Sequence, residues 1–125
     1  MTHKLNALQP YAIAALRIMA ALLFFAHGSQ KLFGFPIAGP ETLSTLALIS
    51  AILEVAGGTL LALGLFTRPV AFILSGHMAF AYFIAHAPQS FYPVANGGDA
   101  SILFSFVFLL LVTTGAGKFA LDNKR

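Results

Sequence analysis

Apolar residues run through this chain in four long blocks, at about 11–27, 43–66, 69–87 and 100–116, separated by short polar or Gly/Pro-rich breaks. A helix needs about 20 residues, within a range of about 17–25, to cross the hydrocarbon core of a bilayer. All four blocks reach that length, the first and last narrowly. The pattern predicts an all-α integral membrane four-helix bundle, one domain over residues 1–125 with no room for a soluble one. The breaks carry turn chemistry. Thr67-Arg68-Pro69 predicts a very short turn between the second and third helices, with Pro69 an early helical residue. Gly34-Phe35-Pro36 and Gly39-Pro40 predict a first long loop made of turns. Asn96-Gly97-Gly98-Asp99 precedes the fourth block, with Asn96 as a cap and Asp99 in or near the first turn. Gly115 and Gly117 close that block, and Lys118 suits its negative end.

Composition agrees with the pattern. Apolar residues make up 58% and charged residues 9%, and mean hydropathy is +0.86. A soluble domain carries about a quarter charged residues. There is no cysteine, which excludes thiol–disulfide chemistry and thiolate metal ligation within the chain. A net charge of +3 and a pI near 9.6 do not indicate nucleic-acid binding, because the positive charges flank the apolar blocks instead of forming a patch. Those positions predict orientation. Lys4, Arg68, Lys118, Lys124 and Arg125 fall on one side of four spans, and Lys31 alone on the other. The positive-inside rule then places both termini in the cytoplasm and the loops at about 28–42 and 88–99 outside. Retention of the first helix is expected, since Gly28-Ser29-Gln30-Lys31 is no small-x-small cleavage site and Arg17 fits a signal core poorly.

Against this background the buried ionisable residues carry the chemistry. Glu54 sits near the middle of the second block, where a charge costs roughly 2.5–3.5 kcal/mol on insertion scales. It shares a helical face with Ala47, Ser50, Gly57 or Gly58 and Leu61, the small-residue face along which another helix comes close. A rise of about 1.5 Å per residue puts Arg17 roughly 9 Å, His77 roughly 12 Å and Glu54 roughly 18 Å from the cytoplasmic ends of their spans. The expectation is a buried Arg17–Glu54 pair with His77 beside it. The competing readings are an Arg17 that snorkels to the surface, a protonated Glu54, a neutral core His77, and a cluster that serves assembly alone.

A second polar group gathers toward the outer face, where His27, Gln30, Lys31, His86, Asn96 and Asp99 are within reach of one mouth. Proton entry, anion or head-group binding, docking, and ordinary helix-end chemistry all fit it. His77 and His86 lie nine residues apart, on opposite sides of one helix, so they cannot chelate together. No zinc spacing or phosphate loop is present, no metal site is expected, and a bis-histidine haem between His27 and His86 is disfavoured. With 13 Phe and 3 Tyr, the bundle offers aromatic surfaces on which a quinone ring could lie with a His as hydrogen-bond partner, although plain packing explains them as well.

Several segments together resemble the DoxX family of small bacterial membrane proteins. They are Leu16-Arg17 through His27-Gly28-x-Gln30-Lys31-Leu32-Phe33-Gly34, then Glu54-x-x-Gly57-Gly58 with Gly64-Leu65-x-Thr67-Arg68, then Asn96-Gly97-Gly98-Asp99. Asp99 stands where Glu is the more usual carboxylate. The resemblance implies a four-helix protein of the bacterial cytoplasmic membrane. It singles out Arg17, His27, Gln30, Lys31, Glu54, Arg68, Asn96 and Asp99 without assigning them roles. It also implies an accessory or quinone-interacting subunit of a membrane redox system with redox-protein partners and no intrinsic cofactor. The alternatives are a non-enzymatic scaffold or assembly factor, and a proton or small-solute pathway, which would require a homo-oligomer.

Overall fold

The computed structural model of the protein describes residues 1–124, so Arg125, counted above among the flanking basic residues, lies outside the described residues. Regular structure among them is helical throughout, with no strand. In chain order the helices are α1 (Thr2–Phe33), α2 (Thr45–Leu63), α3 (Thr67–Ala81), α4 (Pro93–Asn96) and α5 (Asp99–Thr114). α3 runs on through a π turn, Tyr82–His86, and a 3-10 turn, Ala87–Gln89.

Three stretches, Thr2–Phe33, Thr45–Leu63 and Thr67–Gln89, are long and apolar enough to cross a membrane. The fourth, α5, has 16 residues and reaches about 24 Å, short of a hydrocarbon core of about 30 Å. It stops at Gly115, whose φ of 75° turns the chain back beneath the bundle. α1 overruns the expected 11–27 at both ends. Gly28-Ser29-Gln30-Lys31 does not break it, because the helix closes only at the left-handed Gly34 and the Ser29 hydroxyl donates to the Phe35 carbonyl at 2.7 Å. Large apolar side chains such as Leu22, Leu23, Ile52, Phe72, Leu103 and Phe106 stand exposed around the bundle. Such a surface marks a liability in water and is ordinary against lipid.

The helices associate as two antiparallel pairs, α1 with α2 and α3 with α5. A Cβ on Gly28 would stand 2.7 Å from the Glu54 Cβ and 2.8 Å from the Ala51 carbonyl oxygen, so the α1–α2 approach at this level requires glycine. α3 and α5 are tied by a reciprocal bridge: Ser75 Oγ donates to the Ser105 carbonyl at 2.8 Å and Ser105 Oγ to the Ser75 carbonyl at 3.0 Å. Between the pairs lies a core of Ala21, Phe24, Leu61, Leu74, Phe108 and Leu111. The α2–α3 reversal is tight, with Gly64 at φ 70° and Phe66 at φ 53°. Both Asp122 carboxylate oxygens accept from its backbone, at 2.8 Å from Phe66 N and 2.9 Å from Thr67 N, capping α3 from the chain's far end.

Candidate functional site: a polar cluster in a lateral cleft

The anticipated Arg17–Glu54 pair does not form. Arg17 lies on the terminal end of the bundle, fully buried, and gives all five of its N–H groups to backbone carbonyls. Nε donates to Ala116 at 2.9 Å. Nη1 donates to Leu61 at 2.7 Å and Ala62 at 2.9 Å, and Nη2 to Lys118 and Phe119, each at 3.0 Å. Two of these acceptors end α2, where unpaired carbonyls and the helix dipole favour a cation. The other three belong to the segment that turns back after α5. The geometric reason is direct. Glu54 is level with Gly28, eleven residues and about 16 Å along α1 from Arg17. Side chains also lean toward the N-terminus of their helix, which carries Arg17 away from Glu54.

The same lean brings Lys31 back into the bundle. Its Nζ sits 3.1 Å from both Glu54 oxygens. Ser50, one turn before Glu54, donates its hydroxyl to Glu54 Oε2 at 2.7 Å, and His77 Nε2 lies 3.0 Å from the same hydroxyl and 3.8 Å from Oε2. A hydroxyl has one proton to give. Because Ser50 gives it to Glu54, the ring hydrogen belongs on His77 Nε2, donated to Ser50. Glu54 is only 4% exposed, yet its charge is matched by Lys31 and its oxygens are hydrogen-bonded, the condition for a tolerable buried carboxylate. His77 Nδ1 has no hydrogen-bond partner among the described residues.

This cluster lines a cleft of about 750 Å³ between the two helix pairs. Leu46, Ile49 and Leu53 of α2 form one apolar wall, and Ile73, Phe80 and Ile84 of α3 and its π turn form the other. Phe24 and Phe104 line its inner side. His27, exposed and edge-on to Phe104 at 6.3 Å between ring centroids, and His86 stand at its rim. A π turn inside a helix is a frequent feature of functional sites, and here it shapes the cleft wall.

The remaining expected site residues fall elsewhere. Gln30 reaches the Ala38 carbonyl at 3.4 Å in the first long loop. Asn96 is buried in the second, donating to Tyr82 Oη and the Ser90 carbonyl and accepting from Gly98 N. It therefore organises that loop instead of capping α5, whose N-cap is Gly98. His86 Nδ1 lies 3.1 Å from the Asn96 carbonyl oxygen. Asp99 is exposed in the first turn of α5. Arg68 Nη1 donates to the Val112 and Thr113 carbonyls, taking the α5 end expected for Lys118. So the outer group divides: His27, Lys31 and His86 join Glu54 and His77 around the cleft, while Gln30, Asn96 and Asp99 serve loops and helix ends. Sequence reasoning placed Ser50 on the right face but overlooked it as the link between Glu54 and His77, although its spacing of four residues from Glu54 was available. It missed Asp122, whose capping role depends on a contact across more than fifty residues.

Comparison with known proteins follows the same lines. A family model named DoxX matches residues 12–87. An uncharacterized protein of Haemophilus influenzae is 43% identical to this chain, covering 98% of it and 96% of its own length. The inner membrane protein YphA of Escherichia coli is 28% identical over 95% of this chain and 94% of its own. An uncharacterized membrane protein of Mycobacterium tuberculosis is 26% identical over 96% and 85%. No solved structure matches.

Proposed function

The chain belongs to the DoxX family and is a multi-pass inner-membrane protein; from that premise we propose that it is an accessory subunit of a membrane redox system, with both termini in the cytoplasm, and that its cleft receives a quinone ring. The observation that carries this reading is the cleft itself. Its volume of about 750 Å³ lies within the roughly 300–1,000 Å³ usual for small-molecule sites, which combine apolar walls with a few convergent polar groups. Phe104, half-buried at the inner side of the cleft, offers aromatic surface to a flat ring. His77 Nδ1 is free to accept from a quinol hydroxyl, and Lys31, partly exposed while it holds Glu54 and Ser50, sets a positive charge beside a quinone carbonyl. The chain's own residues position the ring and hold a proton near it; electrons come from and go to partner proteins.

Binding of a short-chain ubiquinone to purified protein in lipid nanodiscs, measured by calorimetry, tests the proposal. Saturable one-site binding that His77→Ala weakens by about tenfold, together with a slower quinone-linked redox rate in membranes carrying Glu54→Gln, supports it. Absence of binding, with redox rates unchanged in Glu54→Gln membranes, refutes it.

The scaffold alternative is favoured by one observation, the five carbonyls gathered by Arg17, which tie α2 and the returning C-terminal segment to α1. On that reading Glu54→Gln lowers protein abundance and leaves turnover per molecule unchanged. A conduit gains nothing from the packed core of Phe24, Leu61, Leu74 and Phe108 beneath the cleft.

A further inference from the structure

The two apolar walls of the cleft face each other without closing. Leu46, Ile49 and Leu53 recur at helical spacing along α2, and Ile73, Phe80 and Ile84 along α3 and its π turn, so each wall is one continuous helix face. Residues that face one another across a packed helix pair are buried, yet Leu46 is 59% exposed, Ile49 49%, Ile73 57%, Phe80 59% and Ile84 49%. Lower down the same two helices converge: Leu74 presses on Gly57, where a Cβ would stand 2.7 Å from the leucine Cδ2. The cleft is therefore a slot, closed toward the terminal end and open sideways at the level where the apolar belt of the bundle meets lipid. Leu46 to Leu53 alone makes it about 10 Å tall. Its deep end holds Lys31, Glu54, Ser50 and His77.

From this shape, and resting on the reading of the cleft as a ring-binding site, we infer that the slot between α2 and α3 is a lateral portal. Its occupant is an amphiphile with a hydrogen-bonding ring head and one apolar tail, which enters from the bilayer. The head passes inward to His77 and the Lys31–Glu54 pair. The tail lies between the Ile49 and Ile73 walls and runs on into hydrocarbon. A polar rim of His27, Lys31 and His86 borders the cleft at the loop end, while the side opening is apolar along its height and fits a tail. Within the slot the tail takes the place that lipid chains fill along the rest of the apolar surface.

The test uses wild-type protein in nanodiscs and a benzoquinone with a decyl tail carrying a diazirine near the ring. After photolysis, labelled peptides are mapped by mass spectrometry, with and without excess unlabelled decyl-quinone. A parallel calorimetric titration uses the tail-less 2,3-dimethoxy-5-methyl-benzoquinone. The portal predicts labels on residues 46–53 and 73–84 that disappear on competition. Labels confined to the loops at 34–44 and 87–98, with the tail-less ring still binding, overturn the portal and leave the ring site standing. Labels on the slot that survive competition identify ordinary annular lipid and overturn it as well. If neither molecule binds, the ring site falls and the portal with it.

Discussion

At the scale of single residues, the molecule keeps its two buried charges apart by giving each a different kind of partner. Arg17 is held chiefly by dipoles, with the Asp122 carboxylate adding charge attraction: five carbonyls converge on a rigid fork, a task suited to guanidinium geometry. A lysine there has three donors at one point and leaves at least two carbonyls unmet. Arg17→Lys is expected to destabilise the protein by about 2–4 kcal/mol, read as a lower melting temperature in detergent; a variant as stable as wild type would deny Arg17 its structural role. Glu54 is neutralised by a charge instead, Lys31. The sequence made both residues conspicuous, because a charge in an apolar block stands out wherever it lies. It could not show their partners. Depth counted from the ends of apolar blocks set Arg17 and Glu54 about 9 Å apart in level, whereas the helix register sets them about 16 Å apart. Register depends on which glycine meets which backbone, and no single block contains that information.

Between helices, one small residue decides whether the cluster assembles at all. Gly28 lets α1 lie against Ala51 and Glu54, and that approach puts Lys31 within 3.1 Å of the carboxylate. Gly28→Ala is expected to push the pair apart and cost about 1–3 kcal/mol. Because the displaced element carries Lys31, the substitution should also weaken ring binding, which separates it from harmless surface changes of similar size. Capping is a second effect at this scale. Asp122 accepts from the first amides of α3, at 2.8 and 2.9 Å, and Asp122→Ala is expected to cost about 0.5–2 kcal/mol by thermal unfolding. Four apolar helices were legible in the hydropathy blocks, as was the brief Thr67-Arg68-Pro69 reversal. Their ends were less so. α1 continues through Gly28-Ser29, where composition reads as a break, because the helix finds its stop at Gly34. The fourth block runs two residues past the end of α5, because a turn at Gly115 redirects apolar residues to cover Arg17.

Across the whole molecule the two polar centres divide the bundle. The terminal end is tied together by three side chains: Arg17 and Asp122 join helix ends to the chain segment folded back beneath them, and Arg68 joins α3 to the end of α5, beside a surface cavity of about 700 Å³. The loop end is open, with a cleft that reaches the membrane sideways and a polar cluster at its depth. A chain ending at Gly115 loses three of the five carbonyls around Arg17, those of Ala116, Lys118 and Phe119, and is expected to unfold at markedly lower temperature while a ring ligand still stabilises whatever folded fraction remains. The division rests on Glu54 being coupled to Lys31 and uncoupled from Arg17. A pair of double-mutant cycles in nanodiscs measures that directly, with Lys31→Met and Arg17→Lys each combined with Glu54→Gln and stability read by thermal unfolding. The predicted outcome is a coupling of about 1–2 kcal/mol between Lys31 and Glu54, and additivity within about 0.5 kcal/mol between Arg17 and Glu54. A strong Arg17–Glu54 coupling beside additive Lys31–Glu54 changes would contradict the account.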